Sequence, residues 1–139
     1  MKKIVLDTNV FVSALRSDGG TSRQILKALF QGHLRGLMSN TLWTEYEDLL
    51  GRDIWTDLTT AEEREILLAT YAASCDWVKL YYSWRPNLKD EGDNFLIELA
   101  VAGGAEAIVT HNVKDFKQGE LRWAHLNILT PKQCLEELR

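Results

Sequence analysis

The sequence predicts a single α/β domain built on a central, mostly parallel sheet of about four to five strands, sandwiched between helices. Three observations lead there. Short apolar runs at Ile4-Val5-Leu6, Leu37-Met38, Ala107-Ile108-Val109-Thr110 and Asn127 to Leu129 alternate with stretches of helical periodicity, the order that parallel strands and crossover helices produce. The length, 139 residues, is that of one ordinary domain, residues 1–139. Hydrophobic residues make up 45% of the chain, enough for a core without disulfides or a structural metal.

The elements follow in order. Ile4-Val5-Leu6 stops at Asp7 and reads as a buried first strand. Thr21-x-x-Gln24 has the form of a capping box, and Ile25, Leu26, Leu29 and Phe30 then share one helical face until Gly32 ends it. Leu37-Met38 forms a second strand. Ser39 or Asn40 caps the next helix, whose apolar residues are Leu42, Trp43, Tyr46, Leu49 and Leu50. Residues 51–60 fit a short helix or a loop. Thr60-x-x-Glu63 is a second capping box, opening a helix to about Ser74 with Ile66, Leu67, Thr70 and Tyr71 inward. Trp77 to Tyr82 reads as a strand of undetermined place, and Arg85-Pro86-Asn87 as a loop. Asp90 caps a helix from about Glu91 to Ala102, which Gly103-Gly104 terminates. After the strands at Ala107 and Asn127, Thr130-Pro131 supplies an N-cap with proline at the first helical position. The closing helix carries Cys134, Leu135 and Leu138.

The charge balance narrows the function. Sixteen Lys and Arg stand against 20 Asp and Glu, a net charge of −4. Passive duplex binding draws its affinity from neutralised phosphates, so this balance argues against it. A metal-dependent nuclease is compatible, because a bound cation inverts the charge of an acidic site. Cys75 and Cys134 are too few and too far apart for a CxxC metal site. Met1-Lys2-Lys3 runs straight into the first apolar stretch with no secretory signal, so a reducing cytoplasm is the expected setting. No apolar run approaches the ~20 residues that cross a bilayer.

Four acids occupy informative positions. Asp7 follows the first strand at once, where open α/β sheets bind their ligands. Glu45 has the three/four spacing of Leu42, Tyr46, Leu49 and Leu50, which places a carboxylate on an apolar helix face. Asp93 lies in the first turn of the helix that Asp90 caps, and Asp115 follows the Ala107 strand by a short loop. Each has a structural alternative: a turn or cap for Asp7, a turn for Asp115, the favourable positive helix end for Asp93 as for the capping Asp90, and a boundary residue reaching solvent or an arginine for Glu45. Several carboxylates meeting in one crevice repel one another unless a cation joins them. Hard oxygen ligands suit Mg²⁺ or Mn²⁺, which activates water for attack on a phosphodiester.

The chain resembles the PIN-domain family, in particular its branch of VapC-like toxins. The matching pieces are Val5-Leu6-Asp7-Thr8-Asn9-Val10, Ser39 with Glu45-x4-Leu50, Asp93-Asn94-x5-Ala100, and Val109-Thr110-His111-Asn112-x2-Asp115-Phe116. Ile128-Leu129-Thr130-Pro131 fits as well, so the resemblance spans about the whole chain. It implies an acidic quartet of Asp7, Glu45, Asp93 and Asp115 that binds Mg²⁺ or Mn²⁺. Asn9, Ser39, Thr110 and Asn112 correspond to the polar residues around it, which orient carboxylates and hold waters or phosphate oxygens. It further implies a divalent-metal-dependent endoribonuclease, the toxin of a type II toxin–antitoxin pair, with an RNA substrate, a cognate antitoxin and a homodimeric state. The stretch from Arg52 to Leu88 carries no family signature. Rival readings are a PIN nuclease in RNA processing and a non-catalytic PIN binding module. An aspartyl phosphatase with Asp7 as nucleophile would want an acid two residues on, where this chain has Asn9.

Other residues suggest less. His33, His111 and His125 lack metal-ligand spacing, although His111 adjoins the expected site. Lys114, Lys117 and Arg122 read as solvated surface near Asp115. Of the five tryptophans, Trp43 reads as core, while Trp84 and Trp123 suit an interface.

Asp90 and Asp93 separate by experiment. Asp93 precedes Leu96 by three and Ala100 by seven and so shares their face, whereas Asp90 stands before the first turn. Asp90→Ala is expected to lose about 1 kcal/mol of stability while keeping nuclease activity. Asp93→Ala should do the reverse. Thermal melts and RNA cleavage read both, and an inactive Asp90→Ala beside an active Asp93→Ala would exchange the roles.

Overall fold

A computed structural model describes residues 2–16, 20–52, 59–80, 94–117 and 126–137. Strand β1 (Lys2–Leu6) is exposed at its two lysines and buried at Ile4, Val5 and Leu6. Burial of three successive side chains means both faces are covered, which explains the continuous apolar run. Four further strands, β2 (Leu34–Met38), β3 (Asp76–Trp77), β4 (Ala107–Val109) and β5 (Asn127–Leu129), join it in the order β3-β2-β1-β4-β5. Every neighbouring pair is parallel. The expected α/β sandwich is therefore present, with an all-parallel sheet among the described residues. From β1 the chain passes to β2 on one side and reaches β4 on the other. The β1/β4 seam is thus the point where strand order reverses, and open α/β sheets bind their ligands beyond the carboxyl ends of the strands at such a point.

Helices α1 (Thr8–Arg16), α2 (Thr21–Phe30), α3 (Asn40–Leu50), α4 (Ala61–Ser74), α5 (Asn94–Gly103), α6 (Val113–Lys117) and α7 (Pro131–Glu137) cover the sheet. Two of them, α1 and α6, depart from the sequence reading, which ran from Asp7 to Thr21 without an element and left Asp115 in a loop. Helix α1 buries Val10, Phe11, Ala14 and Leu15, an i, i+1, i+4, i+5 stripe. It starts one residue after β1, so no loop announces it.

The capping signals divide. Thr60 accepts from the Glu63 N–H at 3.1 Å while the Glu63 side chain accepts from the Thr60 N–H at 3.3 Å, the predicted box. Thr130 caps α7 as expected, with Gln133 reciprocating. Thr21 does not cap α2. It is the first helical residue, and Gly20 is the N-cap with no side-chain bond. Gly32 and Gly104, at φ +82° and +70°, end α2 and α5 in the left-handed region that glycine tolerates.

Helix α4 is rotated from the expected face. Arg64, Leu68, Tyr71 and Ala72 are buried, while Ile66 is 60% exposed and Thr70 is also outside. Arg64 enters because its guanidinium donates to the Leu50 and Thr59 carbonyls and to the Thr59 hydroxyl. Strand β3 begins one residue before the expected Trp77, and residues 78–80 lie beyond it. The Arg35 guanidinium donates to Asp76 at 2.8 Å, which ties this edge strand to β2 and holds the Asp76 carboxyl below the usual range. Arg85-Pro86-Asn87, Trp84, Asp90, Arg122, Trp123, His125 and Leu138 fall outside the described residues.

Helix α4 packs directly on β2 at Gly36. A Cβ there would stand 2.8 Å from Tyr71 Oη and 2.9 Å from Cys75 Sγ, closer than real contacts allow. Tyr71 is fully buried and cannot swing aside. Gly36→Ala is expected to lower stability by about 1–3 kcal/mol, the usual cost of overpacking a filled core. Urea denaturation measures this, and an unchanged midpoint would mean that α4 shifts freely.

Candidate active site

The polar cluster at the β1/β4 seam is built around Asp7. Parallel pairing sets Leu6 opposite Val109, and the Asp7 N–H donates to the Val109 carbonyl at 2.9 Å. This bond brings Asp7 beside Thr110, the first residue past β4. The Thr110 hydroxyl donates to Asp7 Oδ2 at 2.8 Å, a bond between residues 103 apart in the chain. Thr8 Oγ1 approaches Oδ1 and Asn9 Nδ2 approaches Oδ2, each at 3.4 Å.

Thr110 is fully buried, and its single hydroxyl has all its capacity assigned. It accepts from the Asn112 N–H at 3.1 Å and from Asn9 Nδ2 at 3.4 Å, so its proton points to Asp7. Asn9 also accepts, through Oδ1, from the His111 N–H at 3.3 Å. From below, Tyr46 of α3 donates its hydroxyl to the Leu6 carbonyl at 2.6 Å, fixing the end of the strand that presents Asp7. Its ring stands edge-on to Phe11 of α1, centroids 5.2 Å apart.

Asp7 is only 8% exposed. Burial pushes its carboxyl above the usual value, against the opposing pull of hydrogen bonds from Thr110, Thr8 and Asn9. Burial, and then the charge of Asp7, hold the Tyr46 hydroxyl well above the usual phenol range, so it stays protonated as a donor.

The other expected residues are placed differently. Asn112 takes part through its backbone N–H. Ser39 is 2% exposed and its hydroxyl accepts from the Leu42 N–H at 3.2 Å, so it caps α3 at the carboxyl end of β2. Glu45 is exposed, because the buried stripe of α3 runs through Leu42, Tyr46 and Leu50 and passes it by. The burial cost that singled it out in sequence does not arise. Asp115 is half-buried in α6, its N–H donating to the Asn112 carbonyl at 3.1 Å. Asp93 lies outside the described residues. Among those that are described, no three His, Cys, Asp or Glu side chains are grouped as a metal site. The sequence gives Thr8 no role in the site and places Tyr46 only among the apolar residues of its helix, although the first meets Asp7 and the second holds its strand. The Leu42–Tyr46 spacing indicated burial of the tyrosine, but nothing local indicated where its hydroxyl would reach.

The sequence matches the PIN domain family over residues 3–114. The chain belongs to the PIN-domain family. No curated protein matches it. Its fold is similar to that of a chain in the crystal structure of VapBC2 from Rickettsia felis bound to a DNA fragment from their promoter. The TM-score is 0.60 at 16% identity, over 92% of this chain and 98% of that one. The family match thus includes Asp7, Asn9, Thr110 and Asn112 and ends one residue before Asp115.

The raised pKa of Asp7 in this PIN domain has a defined consequence. The folded state holds the Asp7 proton more tightly than the unfolded state, so stability falls as pH rises from the ordinary aspartate value, about 3.9, through the folded value. Above that window the charged Asp7 is a destabilising group. Asp7→Asn keeps an acceptor for Thr110 and turns an NH₂ toward the Thr8 hydroxyl, which can accept. The variant should therefore melt higher than the parent at neutral pH in EDTA, with the difference vanishing at low pH. Melting curves across pH check this, and a variant less stable at neutral pH would make Asp7 a structural cap.

Proposed function

We propose that the protein is a divalent-metal-dependent endoribonuclease and the toxin of a type II toxin–antitoxin pair. The observation that carries this reading is Asp7, a buried carboxylate beyond the switch-point strands of a PIN domain, its charged form disfavoured by desolvation. Such a group suits a cation, which offsets the desolvation that burial imposes. The family resemblance makes Asp7, Glu45, Asp93 and Asp115 the candidate ligands for Mg²⁺ or Mn²⁺. Among the described residues Asp7, Glu45 and Asp115 are not grouped as a metal site, so Glu45 and Asp115 would have to draw toward Asp7 around the ion. The metal, when bound, supplies a polarised water as nucleophile and neutralises charge on the phosphodiester.

The chain's own residues do the rest. Thr110, Asn9 and Thr8 orient the Asp7 oxygens, and Tyr46 anchors the strand behind them. The substrate we favour is single-stranded or looped RNA, whose unstacked bases can be splayed out over a shallow crevice. Likeness in fold to a chain of VapBC2 supports the toxin reading and, with it, a cognate antitoxin. A homodimer and a cytoplasmic setting are proposed from the family resemblance alone. No described helix is long and apolar enough to cross a membrane.

Purified protein should cleave single-stranded RNA with Mg²⁺ or Mn²⁺ and lose that activity in EDTA and in Asp7→Asn. Full cleavage in EDTA would contradict the mechanism. Protein that folds and cleaves no RNA in either metal would favour a binding module. Growth arrest on expression, relieved by the product of a short neighbouring reading frame, distinguishes a toxin from an RNA-processing nuclease.

A further inference from the structure

One residue beside Asp7 has no part in the reaction just proposed. His111 follows Thr110 directly, and although it is exposed its ring is held in place. Nε2 lies 2.9 Å from Ser13 Oγ on α1 and 3.4 Å from Ser22 Oγ on α2. A serine hydroxyl donates or accepts, so either imidazole tautomer is held. These partners are 98 and 89 residues away in sequence, so the ring fastens the turn after β4 to the first two helices.

The backbone of the same residue settles the orientation of Asn9. Because the His111 N–H donates to Asn9 Oδ1 at 3.3 Å, Nδ2 is the end that faces Asp7 Oδ2 and Thr110 Oγ1, at 3.4 Å each. A flipped carboxamide would set its oxygen against the Asp7 carboxylate and its NH₂ against a donor. The contacts of Asn9 are long, and each alone is weak. Their arrangement depends on where the turn sits, and the 2.9 Å bond to Ser13 is the shortest side-chain bond holding His111.

We propose that His111 is a positioning residue: anchored on Ser13 and Ser22, it holds the turn after β4 where its N–H fixes the Asn9 carboxamide, which then presents Nδ2 to Asp7. Its consequence for catalysis rests on the nuclease reading. The positional claim does not.

Two substitutions of this exposed residue test it. His111→Phe keeps an aromatic ring without Nε2, and His111→Gln places an amide near the same position, within reach of Ser13. The first readout is the side-chain NH₂ signal of Asn9 in ¹⁵N spectra of the full chain, assigned by its loss in Asn9→Ser. His111→Phe should move that signal toward a free carboxamide and speed its exchange with water, and His111→Gln should restore it. RNA cleavage is the second readout: kcat should fall on the order of tenfold in His111→Phe at unchanged KM and recover in His111→Gln, as expected of a small misplacement. An Asn9 signal unchanged in His111→Phe, or lost equally in both variants, would overturn the proposal. Absence of RNA cleavage in the parent would contradict the nuclease reading instead, and the Asn9 signal would still decide the role of His111.

Discussion

A carboxylate placed at the end of an apolar strand is tolerated only where donors meet it, and in this domain the principal donor arrives from 103 residues away. The bond from Thr110 to Asp7 requires β1 and β4 to pair in the register that sets Leu6 against Val109. A one-residue slip would turn the strand's side chains to the other face and leave Asp7 without its partner. Register, sheet order and site are therefore one constraint. The Asp7 N–H to Val109 carbonyl bond continues the ladder by one step and delivers the two side chains to each other.

Around that bond the structure is layered. Thr110 is saturated, so its proton has one direction and Asp7 receives it. Asn9 and Thr8, in the first turn of α1, close over the carboxylate because the helix begins one residue past the strand. Below, the Phe11, Tyr46 and Tyr71 rings form a packed cluster that spends only one hydroxyl, that of Tyr46, on the strand end. Apolar packing supplies the stiffness, and a few directed polar bonds set the geometry.

Much of this was legible in the sequence, for reasons that differ by element. Strands buried on both faces announce themselves as unbroken apolar runs, so β1 and β4 could be read closely. Asp7 could be placed because it follows such a run directly, whereas Thr110 read as the end of the β4 run and entered the site only through the family resemblance. Helix α1 was lost because it lacks a preceding loop, and α4 was misread because Arg64 takes a buried position through carbonyl partners that no periodicity reveals. Glu45 shows the limit of helical spacing: one position of rotation separates a buried glutamate from an exposed one. The part played by Asn112 through its backbone N–H is invisible to any reading of side-chain types. So is the meeting of His111 with Ser13 and Ser22, which exists only once the sheet is closed.

On the proposed reading, burial leaves Asp7 in want of a cation. The most direct measurement follows the ¹³C signal of its side-chain carboxyl through a pH titration, with and without Mg²⁺. Without metal, Asp7 should titrate above ordinary aspartates, and with Mg²⁺ its transition should move down as the cation favours the charged form. A transition at the ordinary value, unmoved by Mg²⁺, would contradict that reading.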